Sequence, residues 1–145
     1  MLPFSLDDSI GYTFNTVANL LKRELNEAFR QAGIDILAEQ WALLFRLREQ
    51  PGMNQQELAQ SVSRDNASVT RSLLVLEKKR LVERRQSDAD RRNRYLYLTS
   101  EGEQLLPQLI QCAQQVLQKA LHGISDREID FLNGLVRQMI VNLTK

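Results

Sequence analysis

The chain has 145 residues, 43% hydrophobic and 26% charged, with a formal net charge of +1 and one cysteine, Cys112. This is the size and composition of one globular domain with a sizeable core; one cysteine excludes an intramolecular disulfide framework, and no apolar run approaches the roughly 18 residues of a membrane span. The first dozen residues lack the basic and apolar regions of a signal peptide, so a cytoplasmic location is expected.

The net charge hides an uneven distribution. Between Arg64 and Arg94 stand ten basic and five acidic side chains, while the rest of the chain holds nine basic against thirteen acidic. Such a block is either the electrostatic footprint of a polyanion partner or a solvated charged surface. The elements beneath it have to decide.

In chain order, Ile10, Phe14, Val17, Leu21 and Leu25 recur in steps of three and four, which predicts a long helix over 7–32. Tyr12 and Leu20 widen its apolar stripe, and Gly33 is placed to end it in the left-handed conformation. A second helix is expected from Leu37 to Arg48 around Trp41, Leu44, Phe45 and Leu47, closed by Pro51-Gly52. Asn54 and Glu57 have capping-box spacing and open a short helix that carries Leu58 and Ala59 inward. Ser61 to Ser63 then form a turn with Val62 as its buried residue. Asp65 or Asn66 can cap the next helix, which buries Val69, Leu73 and Leu76 and turns Ala67, Ser68, Thr70, Arg71 and Lys78 outward. Small and polar residues at the start of a helix allow close approach to base edges, as in a DNA-reading helix.

Residues 81–85 and 95–98 are short strand-like runs, separated by a charged stretch in which Asp88 and Asp90 supply turn chemistry. They make a basic hairpin directly behind the DNA-reading helix. The remainder returns to helix. Thr99 or Ser100 caps a segment with Leu105, Leu109, Cys112 and Val116 on one side, and Gly123 ends it. Ser125 and Glu128 form a second capping box, opening a last helix that turns Ile129, Leu132, Leu135 or Val136, Met139, Ile140 and Leu143 inward.

Asp90-Arg91-Arg92, followed by Tyr95-Leu-Tyr-Leu-Thr99-Ser-Glu-Gly102, resembles the wing and strand-to-helix junction of the MarR-type transcription regulators. Asn54-Gln-Gln-Glu-Leu-Ala59 and Val69-Thr-Arg71, with Leu73, Leu76, Glu77, Lys78 and Lys79, are similar to that family's helix-turn-helix. The resemblance spans essentially the whole chain. It implies a mainly α fold: one domain over 1–145, with a winged helix-turn-helix at 36–98 (wing 82–98) flanked by dimerisation helices at 7–34 and 100–145.

The function implied is that of a homodimeric repressor on a pseudo-palindromic double-stranded DNA operator, its two DNA-reading helices about 10 base pairs apart. The terminal helices carry more apolar surface than one small domain needs, which agrees with a dimer through Ile10, Phe14, Val17, Leu132, Val136, Met139 and Ile140. The residues expected near DNA are Gln55 and Gln56 as phosphate anchors, and Asn66, Ser68, Thr70 and Arg71 on the reading helix. On the wing, Arg92 is the expected minor-groove arginine, oriented by Asp90, with Arg91 and Arg94 beside it. Relatives that bind aromatic or phenolic acids suggest a pocket lined by Tyr12, Trp41 and Phe45, although aromatics at helical spacing are also ordinary core residues.

Two features depart from the family pattern. Leu74 and Val75 replace polar or charged residues, and they either contact thymine methyls or pack on neighbouring helices; their angles at the sides of the outward face favour packing. Arg80 stands where glycine is usual, so the helix either ends without a glycine cap or strains Arg80.

Competing functions find less support. His122 has no second ligand or base nearby, and no zinc spacing, phosphate loop, nucleophile elbow or dinucleotide motif occurs, so neither an enzyme nor a metal or cofactor is expected. Redox sensing in the family uses a cysteine of the first helix, whereas Cys112 lies on the apolar side of a later one. The remaining alternative is a winged-helix module that binds protein rather than DNA, which three arginines in four wing residues disfavour.

Overall fold

The structure is a computed structural model describing residues 4–89, 92 and 94–145. Among these, the chain order is α1 (Ile10–Gln31), α2 (Ala38–Glu49), α3 (Gln55–Ser61), α4 (Asn66–Lys78), β1 (Val82–Gln86), β2 (Arg94–Leu98), α5 (Ser100–Ala120) and α6 (Asp126–Leu143). The fold is mainly α with one antiparallel hairpin, as the sequence implies.

Helix ends follow local chemistry. Asn54, Asp65, Thr99 and Ser125 each accept the backbone N–H three residues on, and the Glu57 and Glu128 carboxylates accept from the N–H of Asn54 and Ser125. Gly33, at φ +74°, closes α1: its N–H donates to Arg30 O (3.0 Å) and that of Ile34 to Phe29 O (2.9 Å). The same paired bonds recur past α3 and α4 without glycine, around Ser63 (φ +54°) and Arg80 (φ +61°). Of the two readings left open for Arg80, the left-handed one holds.

The core joins α1, α2, α4, the hairpin and α5 through Phe29, Leu43, Leu44, Leu73, Leu96 and Leu109, all sealed from solvent. In the hairpin Val82 pairs with Leu98 and Gln86 with Arg94, so Leu96 and Leu98 face the core on alternate residues. Met53, just before α3, adds a bridge to Leu96 and pins the wing to the helix-turn-helix. At the foot of the wing, Gly102 approaches so closely that a Cβ there would lie 2.3 Å from Leu81 O.

Several sequence expectations are corrected. The inward leucine of α5 is Leu106, fully buried, while Leu105 is only partly covered. Val62 is half-buried. Leu74 does not pack into the core as expected: it is 60% exposed, whereas Val75, at 37%, is more covered. No residue of α6 is buried within the chain; Leu132 and Ile140 are exposed, and Val136 and Met139 are half-covered. Ile10, Phe14 and Val17 on α1 are exposed too. The row read as inward on α6 therefore has no inside within a single chain.

Candidate nucleic-acid interface

The outer side of α4 carries Ala67, Arg71, Leu74 and Lys78, all exposed and opposite the buried Val69, Ser72, Leu73 and Leu76. At about 100° per residue these four lie within about 60° of one another. Leu74 thus sits in the middle of the outward face rather than at its side. Asn66 is also exposed, at the first turn.

Ser68 and Thr70, expected on that face, are half-buried and already hydrogen-bonded. Arg64 Nη2 donates to Ser68 Oγ (2.6 Å) and Ser72 Oγ (2.9 Å), and its Nη1 donates to Glu39 O at the start of α2 (2.8 Å). Glu39 in turn pairs with Lys22 of α1; the Lys22 hydrogen bond is the main cause that holds the Glu39 carboxyl below its ordinary value. Arg64 is thus a strut from the first two helices to α4. The sequence reading counted it only as a charge. Its spacing, four and eight residues ahead of Ser68 and Ser72, was the signal.

Thr70 belongs to a second relay. Its hydroxyl donates to Asn66 O (2.7 Å) and accepts from Gln55 Nε2 (2.5 Å). Arg84 Nη2 donates to Gln55 Oε1 (3.1 Å), and Arg84 Nε donates to Glu77 Oε1 (2.9 Å). The Gln55 carboxamide therefore braces α3 against α4 and β1, while Gln56 beside it is exposed. The Ser68 N–H, bonded to Asp65 Oδ1 at 2.7 Å, is the main cause that lowers the Asp65 carboxyl below its ordinary value, with Arg71 and Arg64 adding to it.

Much of the basic block serves the fold. Arg84 pairs with Glu77, Lys79 with Asp35, and Arg85 with Glu83 while lying 4.4 Å above the Tyr97 ring. Arg71, Lys78, Arg92 and Arg94 are exposed. Between the start of α3 and the wing, Asn54, Gln55, Gln56, Arg84, Arg92 and Arg94 line an open cleft of about 360 Å³. Amide and guanidinium donors around such a cleft suit a phosphate-like anion. Asp90 and Arg91, the remaining wing residues of the sequence reading, lie outside the described residues.

The aromatic residues divide. Trp41 and Phe45 stand with ring centroids 5.2 Å apart and line a cavity of about 410 Å³ with Arg46, Glu49, Ser61, Val62 and Ser63. Arg46 Nε is buried and donates to no acceptor. Tyr12 is not among them; it is exposed on the outer half of α1.

The sequence model of the MarR family matches residues 36–93. The transcriptional regulator HosA of Escherichia coli O111:H- is 30% identical over 106 residues, covering 73% of this chain and 78% of HosA. The chain belongs to the MarR family. A regulator of Listeria monocytogenes assigned to the MarR family, solved with a 26mer DNA, superimposes with a TM-score of 0.85 at 25% identity, over 94% of this chain and 89% of that one. BpsR of Bordetella bronchiseptica, whose DNA binding is regulated by 6-hydroxynicotinic acid, shares the fold with a TM-score of 0.84 at 21% identity, over 95% and 97% of the two chains. The MarR family assignment makes this chain a transcriptional regulator.

Proposed function

We propose that this MarR family regulator is a homodimeric, sequence-specific repressor that acts on a pseudo-palindromic operator in the cytoplasm. The observation that carries the reading is the outward stripe of α4 beside the arginine-lined cleft of the wing. Arg71 reads a base edge in the major groove, and Asn66 and Lys78 flank it. Gln56, Arg94 and the outer atoms of Gln55 hold the phosphates around the cleft. Arg92, with Arg91 and Asp90 beside it in sequence, enters the adjacent minor groove. Ser68 and Thr70 act through the relays that fix α4, Ser68 positioned by Arg64 and Thr70 by Gln55.

The uncovered apolar residues of α1 and α6 support dimerisation through Ile10, Phe14, Val17, Leu132, Val136, Met139 and Ile140. An aromatic acid is the effector class that suits the Trp41–Phe45 cavity: the rings offer stacking, and the cationic Arg46 side chain that lines it favours a carboxylate. BpsR responds to such an acid, which adds weight to this reading. Tyr12 belongs to this pocket only if the partner subunit brings it there.

The test is selection of binding sites from random duplex DNA, repeated with a panel of aromatic acids. The expected result is an enriched palindrome whose half-sites repeat at about 10 base pairs, with occupancy lowered by one or more acids. Failure to enrich any palindrome would favour the protein-binding alternative.

A further inference from the structure

We propose that Leu74 is a specificity-determining residue that reads the 5-methyl group of thymine in each operator half-site. The inference deepens the DNA-binding reading and rests on it. Leu74 is 60% exposed and stands outside the core, although it is a large aliphatic side chain within a helix. Its neighbours along the outward stripe are Ala67 at the start of α4, Arg71 one turn before it and Lys78 one turn after it, all exposed. Two cations on either side of an aliphatic group complement a major groove, where phosphates flank base edges and thymine alone presents a methyl.

The placement also argues against the ordinary reasons for a leucine. A core role would need burial, and Leu73 and Leu76 already fill the inward positions with complete burial. The apolar surface left open elsewhere lies in the separate exposed rows of α1 and α6; Leu74 lies on the basic face instead. An apolar side chain on a surface built to meet a polyanion contacts whatever apolar surface that polyanion offers. In B-form DNA that is chiefly the thymine methyl. Ala67, seven residues earlier and hence about 10 Å along the helix, presents a second methyl-sized apolar surface on the same stripe. The reading is therefore of a thymine, or two thymines about three base steps apart, in an otherwise arginine-anchored half-site.

The test uses the full chain and the palindrome selected from random duplex DNA. Each thymine is replaced in turn by deoxyuridine, which removes one methyl and leaves every hydrogen-bonding group in place. Wild-type protein is expected to lose about three- to fivefold in affinity at one or two thymines of each half-site, the effect of one buried methyl. Leu74→Ala should abolish the deoxyuridine effect at one thymine of each half-site, leaving only the one that faces Ala67, and Leu74→Met should restore part of the difference. Because Leu74 is exposed, neither variant disturbs the core, and circular dichroism with unchanged melting verifies this. Tight binding with no deoxyuridine effect, or a set of effects that Leu74→Ala leaves unchanged at every thymine, overturns the inference while leaving DNA recognition standing. Absence of any enriched site overturns the DNA reading itself.

Discussion

The helix-turn-helix and the terminal helices are built from the same kinds of apolar side chains but end in different states. Around α2, α4 and the hairpin, Leu43, Leu44, Leu73, Leu76 and Leu96 are fully enclosed by their own chain. On α6, Phe131 is 69% and Ile140 55% exposed, and no residue of that helix is buried. The first region closes its energetics within one chain. The second leaves a continuous apolar surface open at a cost of about 25 cal/mol for every Å² kept in water, which selects for a covering partner. The helix-turn-helix is self-contained, whereas in the proposed dimer its spacing from a second copy falls to the surfaces that one chain leaves open.

The largest effect should come from breaking the open region. Ile140→Asp places one carboxylate per protomer, hence two per two-fold interface, where water is excluded. Each costs several kcal/mol. The dimer dissociation constant should rise at least about a thousandfold, or about 4 kcal/mol, as read by sedimentation velocity. Operator affinity should collapse with it. A variant that stays dimeric would move the interface away from α6.

The closed region is sensitive in a different way. Gly102→Ala sets a Cβ against Leu81 O, a backbone atom that cannot swing aside, at the junction where the Thr99 hydroxyl also donates to Arg80 O. Overpacking of this kind costs about 2 kcal/mol. Urea unfolding should show the loss, and it should appear equally at high and low protein concentration once corrected for dimer dissociation. An alanine tolerated without loss would mean that the wing foot slides easily.

The two regions also differ in how far they were legible in the sequence. Capping chemistry is local, so Asn54, Asp65, Thr99, Ser125 and Gly33 mark helix ends correctly, and the element order follows. The buried face of α4 follows from its period. What was missed depends on relations across the chain. Arg64 binds groups on two helices, and Gln55 is drawn into a relay that only tertiary contact assembles. Leu105 was preferred to Leu106 because the two differ by only 100° on a helix whose N-terminal end meets the wing. Leu74 is a different case: arithmetic at 100° per residue already aligns it with Ala67 and Arg71, and the expectation that a leucine packs obscured this. The inward row of α6 assumed an inside that one chain does not provide.

Effects on recognition should be smaller and more selective. Arg71→Ala should cost about 1–3 kcal/mol on the preferred operator and less on variants altered at one base, as a bidentate base contact implies. A uniform loss across sequences, measured by fluorescence anisotropy, would demote Arg71 to a phosphate contact. Arg92→Ala should reduce the slope of log affinity against log salt by about one unit per protomer, since each neutralised phosphate contributes about 0.9. An unchanged slope would remove the wing arginine from the interface.

The smallest effect isolates backbone strain within the closed region. Arg80 holds φ +61° past the end of α4, where its N–H bonds Glu77 O at 3.0 Å and that of Leu81 bonds Leu76 O at 3.0 Å. A side chain there costs about 1–2 kcal/mol that glycine avoids, while glycine loses about 0.5–1 kcal/mol through the greater freedom of its unfolded chain. Removing the Arg80 charge subtracts a little more, because the side chain lines a groove with Glu77, Glu83 and Glu101. Arg80→Gly should therefore stabilise by about 0.5 kcal/mol, a rise of roughly 1–3 °C in Tm. Arg80→Ala removes the same charge but keeps the Cβ, so it should show no gain, and the difference between the two variants measures the strain less glycine's entropic loss. If both melt alike, the strain at Arg80 is no larger than the roughly 0.5–1 kcal/mol that glycine loses through its unfolded chain.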